Sequence, residues 1–338
     1  MATVRVFVGL DYHDSGVQVC VLDPQGRVLA NAACPNDAQA LAEFVGRHGD
    51  QIFAAVEACT GSADLADELV GRFGWSVDLA HPGYVRRLKQ TPDKTDFTDA
   101  RLLADLERVG YLPRVWTAPA AVRDLREVVR YRHQLAAQRR AAKVRVRALL
   151  RQHRQKPPAG VNPWTIAWHK WLREQAALPE STRWVIDRHL AELADLARRT
   201  KAADAELARR TAGDPLVEHL LAIKGIGLIT AVTLRAEIGR FDRFRSGKQL
   251  ARFCGLSPRN ASSGVRQADA GLIRAGSPLL RMIVMEAAHR LARYQPHWRA
   301  MKAALVGRGK PAGVAVAAVA NRWVRCLFHE LRPAAQAA

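Results

Sequence analysis

Neither a disulfide framework nor a cysteine-built zinc site is available to this chain. Its five cysteines, Cys20, Cys34, Cys59, Cys254 and Cys326, are scattered, odd in number and without a Cys-x-x-Cys pair, so they read as small core residues. The eleven histidines show no metal-ligand spacing. No apolar run approaches the roughly 18 residues that span a bilayer. The opening Met-Ala-Thr-Val-Arg enters a strand directly, without a signal-peptide pattern. A cytoplasmic protein with no membrane partner is therefore expected. A Gly-x-x-x-x-Gly-Lys-Ser/Thr loop is missing, which argues against ATP use, and repeats and low-complexity tracts are absent.

What is present is a globular chain with a large excess of one charge. Of 338 residues, 49% are hydrophobic, enough for two or three domains with their own cores. Lys plus Arg number 52 against 32 Asp plus Glu, a formal charge of +20. That balance favours a polyanionic partner, nucleic acid first.

Residues 1–118 alternate short strands and helices. Val4–Leu10, Val17–Leu22 and Arg27–Ala33 read as consecutive strands separated by turn residues. Asn36 or Asp37 caps a helix running through Val45. A strand at 52–56, a helix at 62–73, a strand at 75–80, a short helix near 83–90 and a helix at 96–109 follow. Three strands and then β-α-β-α is the chain order of the RNase H-like fold, in which the first strand lies centrally.

In that order four carboxylates fall together. Asp11 follows the run Val6–Leu10, and Glu57 closes the run Ile52–Val56. Asp96 and Asp99, three apart, share one face of a helix. Clustered carboxylate oxygens suit hard cations, Mg²⁺ or Mn²⁺, and metals held in this way drive displacement at phosphorus. Taken singly, Asp11 also fits a strand-end turn, and Asp96 fits a helix N-cap with Asp99 favouring the dipole.

Residues 119–213 read as long helices. From Arg123 to Lys156 there are twelve Lys/Arg and two acidic residues, a net of +10. Apolar residues from Leu125 to Leu150 recur every three or four positions, giving one apolar stripe on a basic helix. Arg139, Arg140, Lys143 and Arg147 are its candidate nucleic-acid contacts. A second helix covers about Arg183–Ala212, and the two pack as an antiparallel pair or between subunits. Trp164, Trp168 and Trp171 between them fall on one helical face and read as packing.

Residues 214–338 read as a compact helical segment. Lys224, Gly225 and Gly227 in Ile223–Gly227 have the pattern of a helix-hairpin-helix turn, which brings backbone N–H groups to a DNA phosphate. The polar loop Arg259–Ala275 contains Ser262-Ser263-Gly264 and the basic Arg274, and Lys310 lies in Arg308-Gly309-Lys310-Pro311.

These blocks together resemble the DEDD transposases of the insertion-sequence 110 family, including its 1111 subgroup, also called bridge recombinases. The matching residues are Gly9–His13, Val56–Ser62, Lys94–Ala100, Ile223–Gly227, Gly255–Pro258, Ser262–Gly264 and Arg308–Pro311. They keep the family's order across almost the whole chain. The resemblance implies a RuvC-like domain at 1–118 whose metal carboxylates are Asp11, Glu57, Asp96 and Asp99. It implies a basic coiled-coil region at 119–213 and a transposase domain at 214–338 with a catalytic serine, Ser263 or its neighbour Ser262. It further implies a non-coding bridge RNA that pairs with donor and target DNA.

The expected chemistry is DNA cleavage and rejoining through a phosphoserine link, with the metal site assisting. Such an exchange needs several active sites, so a homodimer assembling into a tetramer on nucleoid DNA is expected. A RuvC-like nuclease using water, and a binding protein without catalysis, are the alternatives.

Overall fold

The computed structural model describes residues 3–89, 95–260, 269–273 and 275–332. They form two compact units, Met1–Ala118 and Pro119–Ala338. Among the described residues no helix is long and apolar enough to cross a membrane.

The first unit is a mixed α/β domain. In chain order it contains β1 (Arg5–His13), β2 (Gly16–Leu22), β3 (Val28–Cys34), α1 (Ala38–Gly46), β4 (Gln51–Glu57), α2 (Ser62–Phe73), β5 (Ser76–Ala80), α3 (Pro82–Leu88), α4 (Asp96–Arg108) and β6 (Arg114–Val115). The sheet order is β3-β2-β1-β4-β5-β6. β1 pairs antiparallel with β2 and parallel with β4, so the first strand is central and adjoins the strand ending in Glu57. β6, a two-residue edge strand, has no signal in the hydrophobic pattern; it pairs antiparallel with β5.

Strand parity divides the faces. Val6, Val8 and Leu10 of β1, with Ala54 and Val56 of β4, are fully buried in one core beside Leu41, Val45 and Leu69. The alternate residues face the other way, where Phe7 packs with Ala100 and Ala104 of α4 and Ala55 packs with Leu103. Asp11, His13 and Glu57 continue that second set, because side chains two apart on a strand share a face.

The α4 helix crosses β1 at Gly9. A Cβ on Gly9 would stand 1.8 Å from the Ala100 carbonyl oxygen and 2.6 Å from the Ala104 nitrogen, so only glycine permits this approach.

Among the described residues the second unit is helical apart from two short antiparallel strands. It contains α5 (Ala120–Gln152), α6 (Ile166–Glu174), α7 (Glu180–Arg210), α8 (Pro215–Ala222), α9 (Leu228–Ile238), α10 (Gly247–Phe253), β7 (Pro258–Asn260), β8 (Asp269–Leu272), α11 (Pro278–Tyr294), α12 (Pro296–Gly307) and α13 (Ala312–Leu331). α5 and α7 run antiparallel, joined by Arg132–Asp204 at 2.8 Å and Thr182–His153 at 2.9 Å. Leu125, Val129 and Leu207 of this pair lie in the same core as Val217, Val232, Val284, Ala287 and Trp323. The boundary expected near residue 213 thus falls inside one packed unit.

Two local expectations are corrected. The stretch Arg259–Ala275 is not wholly loop, since β7 and β8 pair within it. Trp164 precedes α6 and has φ +72, so the three tryptophans do not share a helical face. They meet nonetheless: the Trp164 and Trp168 rings are 4.6 Å apart, and Trp168 and Trp171 are buried against Val146, Leu150 and Ile186.

Gly9→Ala should destabilise the first unit by about 1–3 kcal/mol or more through this backbone collision. Gly71→Ala, within α2 and with open space around it, should instead stabilise by roughly 0.5–1 kcal/mol. Denaturant unfolding of the two variants checks the opposite signs.

Candidate functional site

The α4 N-terminus is capped by Thr95, whose Oγ1 accepts from the Thr98 amide at 3.2 Å. Asp96 is therefore not the cap residue, and its exposed carboxylate is left for other work. Both Asp96 and Asp99 lie in the first turn, where the helix dipole favours negative charge.

Asp11 projects from β1 toward this turn. Its Oδ2 is buried and has no hydrogen-bond partner. His13 Nε2 stands 3.4 Å from that oxygen and 3.6 Å from Asp96 Oδ1. Ligand atoms of Asp11, His13 and Asp96 all lie within 4.8 Å of one another. Burial pushes the Asp11 carboxyl above its ordinary range; His13 opposes the shift, while Asp99 and then Asp96 add to it.

Asp99 and Glu57 lie outside that tight group. Asp99 is buried and pairs with Lys89, whose Nζ is 2.6 Å from Oδ2. Glu57 ends β4 on the Asp11 face of the sheet. Both Glu57 and Asp11 act on the Cys59 thiol, which burial pushes up and these two carboxylates push further. The turn after Glu57 is shaped by Gly61, at φ +87, where a Cβ would meet the Tyr12 hydroxyl at 2.3 Å.

An orphaned buried oxygen, an Asp96 with no capping duty and an oxygen-rich donor set fit a divalent cation held by carboxylates. Sequence reasoning misses two members. Lys89 carries no motif, and folding alone brings it to Asp99. His13 escapes notice because the histidines lack mutual spacing, yet Asp-x-His on a strand puts both side chains on one face.

In the second unit the basic helix divides in two. Arg126 Nε donates to the Ala236 carbonyl at 2.6 Å, and Arg130 makes a bidentate pair with Glu237 at 2.8 and 3.1 Å. With Arg132 bound to Asp204, this end of α5 uses its cations to hold α9 and α7. From Arg139 to Lys156 the chain has eight Lys/Arg and no acidic residue, and among the described residues none of these cations has a carboxylate partner. Arg139, Arg140 and Arg147 are exposed. Lys143 and Arg147 lie over the Trp164 ring at 4.9 and 5.8 Å. Burial, then Arg139 and Arg147, push the Lys143 ammonium below its ordinary range.

Lys224, Gly225 and Gly227 form the turn between α8 and α9. Gly225 has φ +104, and Gly227 caps α9 with no side-chain hydrogen bond to the first turn. Gln295 donates to the Lys224 carbonyl at 2.9 Å, and Arg290 of α11 flanks the glycines. Lys310 is exposed between α12 and α13. Ser262, Ser263, Gly264 and Arg274 lie outside the described residues.

Lys89→Met should lower stability at neutral pH by about 3–5 kcal/mol, because it strands a buried carboxylate. The double variant Lys89→Met/Asp99→Asn should recover much of that loss. Thermal unfolding of the single and double variants, without added metal, measures both.

Two stretches of the chain match known families, the first extending past Ala118 through α5. A transposase family described as DEDD_Tnp_IS110 matches residues 8–155, and the transposase IS116/IS110/IS902 family matches residues 217–303. A Sinorhizobium fredii protein named as transposase y4qE is 30% identical over 220 residues, 65% of this chain and 54% of that one. The chain thus spans about half of that relative's length. A family 20 transposase of Pseudomonas aeruginosa is 28% identical over 81% of this chain and 82% of its own. The transposase for insertion sequence element IS1111A of Coxiella burnetii is 23% identical over 85% and 78%. Two models that both name IS110 transposases thus match the chain in order along its length, and the chain is similar to transposases of that family.

Proposed function

We propose that this protein is a DNA recombinase of a mobile insertion sequence, cutting and rejoining donor and target DNA through a phosphoserine intermediate. The observation that carries the reading is the buried Asp11 oxygen, 3.4 Å from His13 and grouped with Asp96 at the α4 N-terminus, in a chain similar to transposases. The first unit is read as a RuvC-like, RNase H-like domain on its strand order, with β1 central between β2 and β4.

Asp11, Glu57, Asp96 and Asp99 would hold Mg²⁺ or Mn²⁺. When bound, such a cation neutralises the carboxylates and polarises a phosphate oxygen as a Lewis acid. The chain's own groups carry the exchange. Ser263 is assigned as nucleophile on its position in Ser262-Ser263-Gly264, with Ser262 the alternative. Its Oγ loses a proton to solvent and bonds to phosphorus, the P–O3′ bond breaks, and O3′ takes up a proton. The phosphoserine ester conserves the bond energy, so no ATP is consumed. A 3′-hydroxyl from another strand then gives up its proton to solvent and bonds to phosphorus, and Ser263 Oγ leaves and is reprotonated.

The exposed cations from Arg139 to Lys156 are read as the contact for a non-coding guide RNA, and the turn Lys224–Gly227 with Arg290 as a helix-hairpin-helix contact to DNA phosphate. Arg274 and Lys310 are assigned to the same backbone contacts. Sequence choice by base pairing leaves the protein to read backbone and shape. Exchange of four strand ends calls for a dimer assembling to a tetramer, with α5 and α7 pairing as coiled coil, on nucleoid DNA in the cytoplasm.

Two experiments test this. In covalent trapping with the element's RNA, labelled donor and target DNA and Mg²⁺, wild type should give a protein-linked band on a denaturing gel. Ser263→Ala and Asp11→Ala should both lose it. Cleavage with no linked band, unharmed by Ser263→Ala, leaves a metal nuclease using water. Replacing Arg139, Arg140, Arg145 and Arg151 together by Gln should flatten the log-affinity against log-salt plot for RNA, by roughly 0.7–0.9 for each phosphate no longer neutralised. An unchanged slope removes α5 from the RNA contact.

A further inference from the structure

We infer that His13 is a metal ligand beside Asp11 and Asp96, so that the site binds its cation through an imidazole nitrogen as well as carboxylate oxygens. This rests on the reading that the carboxylates hold a cation, and adds to it a nitrogen donor that shifts the site's choice of metal.

The spacing is that of ligands around a shared ion. His13 Nε2 lies 3.4 Å from Asp11 Oδ2 and 3.6 Å from Asp96 Oδ1. An imidazolium serving as a plain counter-ion closes to hydrogen-bond length, about 2.7–2.9 Å. Donors at about 2.1 Å from one cation stand roughly 3.0 Å apart at right angles and 3.4 Å apart at tetrahedral angles. The His13 nitrogen stands at that separation from Asp11 and slightly beyond it from Asp96, with both carboxylates within reach of one ion. Asp11 Oδ2, one of the two, is buried and lacks any hydrogen-bond partner.

The position of His13 is fixed by backbone. It ends β1 opposite Gly16 of β2, and Asn36 Nδ2 donates to its carbonyl at 3.1 Å. Two residues from Asp11 on an extended strand, its ring falls on the Asp11 side. The ring is half exposed, 47% by side chain, so its core duties are slight and its substitution leaves the fold intact.

An imidazole donor favours first-row transition cations over Mg²⁺, whose preference is for oxygen. His13 is thereby a specificity-determining residue for the metal.

The test uses the full chain and Mn²⁺ as probe. Wild type, Asp11→Asn and His13→Gln are titrated with Mn²⁺ and followed by electron paramagnetic resonance, and the bound ion is probed by electron spin echo modulation for a coupled ¹⁴N nucleus. Competition with Mg²⁺ gives the selectivity. The expected result is one Asp11-dependent Mn²⁺ site whose ¹⁴N modulation disappears in His13→Gln. Mn²⁺ affinity in that variant should fall by roughly tenfold or more, with Mg²⁺ affinity falling less. Asp11-dependent binding without ¹⁴N modulation, or modulation that survives His13→Gln, overturns the assignment of His13 while the carboxylate site stands. Mn²⁺ binding that is absent, or indifferent to Asp11→Asn, overturns both.

Discussion

The candidate site depends on one close contact, the crossing of α4 over β1 at Gly9. Ala100 and Ala104, both fully buried, press on that glycine and on Phe7. Asp96, Ala100 and Ala104 are four apart and form one stripe on α4. One helical turn back from Ala100 to Asp96 is about 6 Å along the axis, and the step from Gly9 to Asp11 along the strand is about 6.8 Å. Helix and strand run in opposite directions here, so the contact at Gly9 and Ala100 sets Asp96 opposite Asp11. A larger residue at position 9 would lift the helix and part the carboxylates with it.

Electrostatics shows that the cluster is kept at a cost to stability. The Asp11 carboxyl is raised from the ordinary value of 3.8 in the folded chain, first by burial. Ionising it therefore opposes folding. The penalty is absent at pH well below 3.8, grows as pH climbs through the unfolded and then the raised folded value, and is complete above the latter. Lys89 and His13 limit the repulsion, and the helix dipole at the α4 N-terminus adds to their effect. A carboxylate placed where burial opposes its charge, beside a second carboxylate and an imidazole, has the character of a site.

The second unit makes the same point with opposite charge. Net charge along α5 suggests a uniform basic rod, yet its cations have two roles. Arg126, Arg130 and Arg132 satisfy carbonyls and carboxylates of α9 and α7, which gives them worth independent of any ligand. Among the described residues the run from Arg139 to Lys156 has no carboxylate partner, and burial, then Arg139 and Arg147, depress the ammonium of Lys143. A bound polyanion would relieve that repulsion.

Much of this is legible in the chain because strands and helices impose periodicities on it. Alternation in Val6-Phe7-Val8-Gly9-Leu10 marks the strand that carries Asp11, although β1 runs on to His13 where the pattern ends it at Leu10, and spacing places Asp96 and Asp99 on one helix. The long helices are readable from their apolar stripes. His13, Lys89 and the unusual backbone of Trp164 are not, because each takes its meaning from a partner on a different element. Lys89 sits ten residues before Asp99, at a distance no local period reports, and only the packing of α3 and α4 on one sheet joins them. The division of α5 is hidden for the same reason: Arg130 and Arg147 are alike in sequence, and Glu237, more than a hundred residues away, is what makes the first structural and leaves the second exposed. Local pattern therefore names the residues that chemistry needs, and tertiary contact decides which of their neighbours share the work.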